Sequence, residues 1–193
     1  GKRTDLMIAL HAWRSAASIS KYREIYPDGP LIVSLTGTDI NEFIHSDPTP
    51  TLASMENADA LVCLHDLVID ITPKRFRDKL HVIYQSAPTL TQKRHLATKF
   101  FDICQIGHMR EVKDPLRGAL ALRDLPESSC LRLIHLGKAH NKKWEKKGLA
   151  EMRRNPRYLW KGERSGWQVR RELARTNLML ITSLSEGGAN VVS

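Results

Sequence analysis

Apolar residues in this chain fall in short unbroken runs, separated by longer polar stretches with helical spacing. Residues 6–10, Leu-Met-Ile-Ala-Leu, form the first run; it has no helical period and predicts a buried strand. Residues 14–26 follow with Ala16, Ala17, Ile19, Tyr22 and Ile25 at helical spacings, and Pro27-Asp28-Gly29-Pro30 ends that helix. Further strands are predicted at 31–35, 60–64 and 81–84, with helices near 51–57 and 73–79. The stretch 88–99 is polar and basic with no strong period. Beyond it the alternation resumes, with strands at 100–106, 131–137, 158–160 and 178–182. Helices are predicted at 116–125, from the basic stretch up to about 155, and at 168–175. Continuous apolar strands alternating with helices predict parallel sheets covered on both faces.

The fold class expected is therefore α/β, with two Rossmann-like, doubly wound parallel-sheet domains facing across a cleft and incomplete at both ends. The boundaries are 1–87, a linker at 88–99, and 100–193. Ligands of such sheets bind beyond the carboxyl ends of the strands. Polar loops lie there: His11, Arg14, Thr36-Gly37-Thr38-Asp39, Gln85-Ser86, His108, Arg110, Lys113, Lys138 and Glu186. Arg110 and Lys113 would place two cations near one strand end, suited to a diphosphate, or would pair on the surface with Glu111 or Asp114. After the last strand come Glu186-Gly187-Gly188-Ala189-Asn190. A strand, two glycines and a helix start offer backbone N–H groups to an anion, and Glu186 could accept hydrogen bonds from sugar hydroxyls.

Charge sharpens this in one place. The chain carries 30 Lys and Arg against 21 Asp and Glu, and residues 138–175 hold 13 of the basic and 4 of the acidic ones. That block is the whole excess. It reads as the solvated face of two amphipathic helices, as a nucleic-acid footprint, or as a rim that attracts anionic substrates. No nucleic-acid motif accompanies it, so no nucleic-acid partner is expected. No apolar run approaches the ~20 residues of a membrane span, and no membrane insertion is expected. Cys63, Cys104 and Cys130 are odd in number and widely spaced. They form neither a metal pattern nor a disulfide framework, which suggests a cytoplasmic protein with small buried thiols.

The segment from residue 100 resembles the donor domain of GT-B glycosyltransferases of family 4. Those enzymes carry a Glu-x7-Glu motif opening a helix after a strand, and a Gly-Arg…Lys loop after the first strand of that domain. Glu186 and the seven residues Gly187 to Ser193 match the motif up to its second Glu, which this sequence does not include. Lys113 matches the loop Lys. The Arg that should follow Gly107 is His108 here, so Arg110 is offered as a substitute phosphate ligand. More narrowly, residues 9–16, 35–39, 83–87, 107–115 and 186–193 are together similar to the selenosugar synthases of selenoneine biosynthesis.

The resemblance implies a hexosyltransferase that joins a UDP-sugar, such as UDP-N-acetylglucosamine, to selenophosphate through a carbon–selenium bond, without cofactor or metal. Arg110, Lys113 and Glu186 would carry catalysis. His108, Gly187, Gly188, Ala189 and Asn190 would hold the donor. His11, Arg14, Ser15, Thr36, Gly37 and Thr38 would hold the acceptor. His11 could equally be a structural hydrogen-bonder. A selenophosphate synthetase and a selenoneine-forming enzyme would be its pathway partners. An ordinary family 4 transferase acting on a hydroxyl acceptor is the alternative, although Thr36 stands where many members have His before the Gly.

Overall fold

The computed structural model describes residues 4–87, 89, 94–96 and 99–189. It divides into two compact units, Gly1–Ala87 with Ser185–Ser193, and Pro88–Leu184.

The first unit is a four-stranded parallel sheet in the order β1-β2-β3-β4. Its strands are β1 Met7–Leu10, β2 Leu31–Ser34, β3 Ala60–Cys63 and β4 Leu80–Val82. Helix α1 (Ala16–Ile25) connects β1 to β2. A π-helical turn (Asp39–Phe43), α2 (Ile44–Ser46) and α3 (Pro48–Asn57) lead to β3. Helix α4 (Val68–Ile71) and a 3-10 helix (Lys74–Lys79) lead to β4. Each strand lies beside its predecessor, so successive right-handed crossovers place their helices on the same face. One apolar cluster results. Ala9, Leu31, Val33, Leu61 and Cys63 meet Ile19, Ile40, Ile44, Met55, Val68 and Phe76. Ile8, Leu10 and Ile83, pointing the other way, are exposed. The described elements thus cover one face of this sheet, where the unbroken apolar runs predicted two covered faces.

The second unit has the order β7-β6-β5-β8, all parallel. Its strands are β5 Phe101–Ile106, β6 Leu131–Leu136, β7 Tyr158–Trp160 and β8 Leu178–Leu180. The chain steps outward from β5 to β7 and then returns to the other side of β5, so this sheet is doubly wound. Both faces are packed. Helices α5 (Arg117–Ala121) and α6 (Lys142–Arg154) bring Ala119 and Trp144 to a cluster with Leu133, Met109 and Tyr158. Helix α7 (Gly166–Leu173) brings Val169 and Leu173 to Cys104, Ile134 and Leu136. Successive residues of β6 therefore feed opposite faces, as a strand's two-residue period requires.

Local chemistry explains several element ends. Asn141 caps α6 by accepting from the Trp144 N–H, and Ser165 with Gln168 forms a capping box on α7. Helix α3, predicted near 51–57, begins earlier, at Pro48, whose missing N–H costs nothing in a first turn. The helix start expected after Gly188 concerns Asn190 and the residues beyond it, which lie outside the described residues. Among the described residues, no helix is long and apolar enough to cross a membrane.

Candidate functional site

In the second unit the strand ends build a cavity of about 400 Å³. Its walls are Gly107 and His108 after β5, Gly137 after β6, and Glu163 and Arg164 after β7, together with Lys113. Ile106, Leu136 and Val169 add apolar surface. The strand-end backbone is held close. Gly107 N–H donates to Leu136 O at 2.9 Å, and Gly137 N–H donates to Gly162 O at 2.9 Å. A Cβ on Gly137, whose φ is 152°, would lie 1.9 Å from the Gly107 carbonyl oxygen. Only glycine permits both that approach and that backbone angle.

Beneath this floor sits His135, fully buried. Its Nε2 donates to Gly107 O at 2.9 Å, and Tyr158 Oη lies 2.8 Å from its Nδ1. A carbonyl can only accept, so the proton resides on Nε2 and Nδ1 accepts from the tyrosine. Burial pushes the His135 pKa down to about 4, and the Gly107 hydrogen bond opposes this weakly. A neutral imidazole thus fixes the peptide that opens the site.

His108 has a similar logic at the surface. Its Nδ1 accepts the Lys138 N–H at 3.0 Å, so in the neutral ring the proton lies on Nε2. That makes His108 a hydrogen-bond donor in a cavity it shares with Lys113 and Arg164. The Lys113 loop is pinned from below by Gln105, which is buried. Gln105 Nε2 donates to Pro115 O at 3.1 Å and to Thr182 Oγ1 at 2.9 Å. Thr182 Oγ1 in turn donates to Lys113 O at 2.9 Å. Leu184 N–H also donates to Val112 O. Arg110 precedes this loop, is exposed, and is not among the residues lining the cavity. Asp114, in the left-handed region with φ 39°, pairs with Arg117.

The acceptor-side residues converge around a side chain that sequence reading gave no separate role, Asp39. Its fully buried carboxylate accepts from Ala12 N–H at 3.1 Å, Trp13 N–H at 3.0 Å and Thr36 N–H at 2.8 Å. It also pairs with His11 Nδ1. His11, at φ 74°, presents Nε2 to the Thr38 hydroxyl at 2.9 Å. Burial lowers the His11 pKa, Asp39 works against that shift, and the nearby Arg14 adds to it. Ser15 is also engaged: its Oγ donates to Leu10 O at 2.7 Å and its N–H to His11 O at 3.0 Å. Thus His11, Thr36 and Thr38 are knitted together by a carboxylate that fills the N–H cradle read as an anion site. Arg14 is exposed beside them.

Glu186 and its glycines lie in the first unit. A Cβ on Gly37 would meet Gly187 N at 2.6 Å, so two glycine backbones touch here. Asn41 Nδ2 donates to Ser185 Oγ at 3.1 Å and Glu186 O at 3.3 Å. Glu186, Gly188 and Ala189 line a second cavity with Leu64, His65, Leu67, Tyr84 and Gln85. Asn190 lies outside the described residues. The structure therefore groups His108 with Lys113, and Glu186, Gly187 and Gly188 with the β2 and β3 loops. Sequence reading passed over Gln105, His135, Arg164 and His65. The strand-end rule could have found Arg164 and His65, which lie in the loops that follow β7 and β3.

The two parallel sheets and their strand orders are those of an α/β chain with a GT-B-type fold. Particular solved structures share it. HepE from Anabaena, crystallised with UDP and glucose, superposes with a TM-score of 0.66 at 16% identity, over 93% of this chain and 52% of that one. A variant of S. aureus TarM, crystallised with UDP and alpha-GlcNAc-glycerol, gives 0.69 at 17% identity, over 96% and 38%. The pneumococcal O-GlcNAc transferase GtfA, crystallised with UDP and GlcNAc, gives 0.62 at 16%, over 93% and 38%. The chain thus spans about half, or less, of these proteins. At such identities the likeness is one of fold. No protein-family model matches the chain, and no curated protein matches it.

Proposed function

We propose that this chain is part of a UDP-sugar-dependent glycosyltransferase whose second unit binds the nucleotide diphosphate. The observation that carries this reading is the cavity at the ends of β5, β6 and β7, where Lys113, Arg164 and the His108 Nε2–H surround glycine backbone in a GT-B-type fold. Ile106, Leu136 and Val169 would give the base apolar walls, and the cations would meet the diphosphate. As the anomeric C–O bond breaks, its electron pair leaves on UDP. Cations placed where that charge grows stabilise the transition state more than the ground state. Asp39 and the buried His11 would hold the acceptor-side loops in one geometry.

The finer reading is a SenB-type selenosugar synthase. Selenium of selenophosphate attacks the anomeric carbon, forming the C–Se bond while UDP departs. A soft, already anionic nucleophile needs no general base, which agrees with a His11 whose two ring nitrogens are both engaged within the protein. Arg14, exposed beside that network, is the cation offered to the anion. The sequence resemblance supports this acceptor. A conventional hydroxyl acceptor is favoured by one observation, the first unit's cavity, where Glu186 is the only charged residue among the described lining.

The test uses the complete enzyme with UDP-N-acetylglucosamine, with and without selenophosphate. A product with the selenium isotope pattern, and UDP release only when selenophosphate is present, is expected. UDP release onto a sugar or glycerol acceptor with selenophosphate ignored would sink the selenium reading and leave the transferase. Absence of UDP binding by calorimetry would sink both.

A further inference from the structure

Asp39, His11 and Thr38 make a chain of contacts whose chemistry goes beyond holding the loops of the first unit together. The Asp39 carboxylate is fully buried and meets His11 Nδ1. His11 is buried as well, and its Nε2 lies 2.9 Å from Thr38 Oγ1. Thr38 is exposed. Carboxylate, imidazole and hydroxyl thus run in line from the interior of the first unit to its surface. A carboxylate only accepts, so the His11 proton lies on Nδ1 and leaves Nε2 as an acceptor. The Arg14 N–H approaches the same Nδ1 from 3.3 Å, and the closer carboxylate decides the tautomer. The Thr38 hydroxyl therefore donates to Nε2.

Each member is held in its place. The Ala12, Trp13 and Thr36 N–H groups fix the Asp39 oxygens. His11 sits at φ 74°, a region that a residue with a Cβ rarely adopts, and from there its ring spans Asp39 and Thr38. Burial holds the His11 pKa below its ordinary value, with Asp39 opposing and Arg14 adding to the shift. The ring is therefore neutral at about pH 7 and can take a proton. A hydroxyl, a neutral imidazole bonded to it and a carboxylate that fixes the tautomer are the parts of an activated nucleophile, recognised by geometry on unrelated folds. The Gly37 and Thr38 N–H groups make no hydrogen bond among the described residues, which leaves them to an oxyanion formed at Thr38. The Phe43 ring lies 5.8 Å from the His11 ring and stacks on Trp13 at 4.4 Å, an apolar wall beside the base.

We propose that Thr38, His11 and Asp39 form a nucleophile triad that takes up and releases the acyl group of uncharged, activated esters. This activity does not rest on the transferase reading. Thr38 Oγ1 attacks the ester carbonyl carbon, and its proton passes to His11 Nε2. The tetrahedral adduct collapses as the C–O bond to the leaving group breaks. The leaving oxygen departs with the electron pair and takes the proton from Nε2. Water then attacks acyl-Thr38 in the same way and gives its proton to Nε2. The bond from the acyl carbon to Thr38 Oγ1 breaks, Oγ1 recovers the proton, and the carboxylic acid leaves.

The experiment treats the full chain with an alkyl fluorophosphonate and, separately, with p-nitrophenyl acetate. The fluorophosphonate exchanges its P–F bond for a bond to the nucleophilic oxygen and releases fluoride, so peptide mass spectrometry locates the reactive hydroxyl. Absorbance follows p-nitrophenolate. Thr38 is expected to carry the label, at a rate at least about 100-fold above that of the same chain unfolded in urea, the scale of general-base assistance. His11→Ala should slow labelling of Thr38 by about the same factor. Thr38→Val should lose the label and the fast release of p-nitrophenolate, and Thr38→Ser should keep both. A merely structural Thr38 would show no such dependence on its hydroxyl. Melting curves accompany each variant, and the Thr38 pair keeps the test open if His11→Ala does not fold. Label spread evenly over other hydroxyls would overturn the proposal. So would Thr38 labelling unchanged in a folded His11→Ala chain, or p-nitrophenolate release unchanged in Thr38→Val.

Discussion

Lys113 and Arg110 are two cations after one strand, Lys113 matching the family loop and Arg110 offered as a substitute, and the structure separates them. Lys113 lines the cavity, and its backbone is tied to Thr182 and through it to Gln105. Arg110 is exposed at the start of the loop and outside the lining. A fixed cation stabilises a developing phosphate charge far better than one that must be ordered first. In the complete enzyme, Lys113→Ala is expected to lower kcat/KM by roughly 100- to 1,000-fold, about 3–4 kcal/mol. Arg110→Ala should cost about tenfold or less, the scale of an exposed ion contact. Steady-state kinetics with melting curves decides it. Equal losses for the two, or a Lys113→Ala enzyme with near-normal kinetics, would remove Lys113 from the leading role.

At the level of elements, the site depends on how closely β5 and β6 end beside each other. Gly137→Ala would drive a methyl group into the Gly107 carbonyl, which His135 holds from below. Backbone cannot yield as a flexible side chain can, so the substitution is expected to destabilise the second unit by roughly 2–4 kcal/mol and to weaken UDP binding. Denaturant melts and calorimetry on the same preparation measure both, and a fully stable variant with intact UDP affinity would contradict the geometry. The strands themselves were legible because each is a short, mostly apolar run without helical spacing, and all eight appear within a few residues of the predicted spans. The helical segment from Asp39 to Ser46 was not, because its apolar positions, Ile40, Phe43 and Ile44, give only one turn of helical spacing in a polar stretch. Lys113 and Glu186 were legible as strand-end residues and through resemblance. Asp39 as an anchor was not, since it meets His11, Ala12 and Trp13 across 26 to 28 residues of chain.

For the whole chain, the buried titratable groups give a direction to its acid response. His135 is buried neutral with its pKa pushed down to about 4, against about 6.5 unfolded. The unfolded chain therefore binds the proton first, and this contribution is complete above pH ~6.5 and lost as pH falls toward ~4. Glu151 has a fully buried side chain held by Arg123, Arg154 and Asn155, which lower its pKa to about 2. Its contribution is complete above the unfolded value of 4.5 and is lost as pH falls toward about 2. Both groups lie in the second unit, and each is worth up to about 3 kcal/mol by linkage, less whatever solvent screening removes from the arginine pairs. The two windows follow one another, so the second unit should lose stability steadily from pH ~6.5 to ~2 rather than at one step. Trp144, Trp160 and Trp167 belong to that unit and Trp13 to the other, so tryptophan fluorescence reports mainly on it. Glu151→Gln is expected to lower stability at pH 7 and to flatten the profile below pH ~4.5 while leaving the upper window intact. A wild-type profile that is flat between pH 6.5 and 4 would mean that His135 is not held neutral beneath the site, and that the Gly107 peptide is positioned by something else.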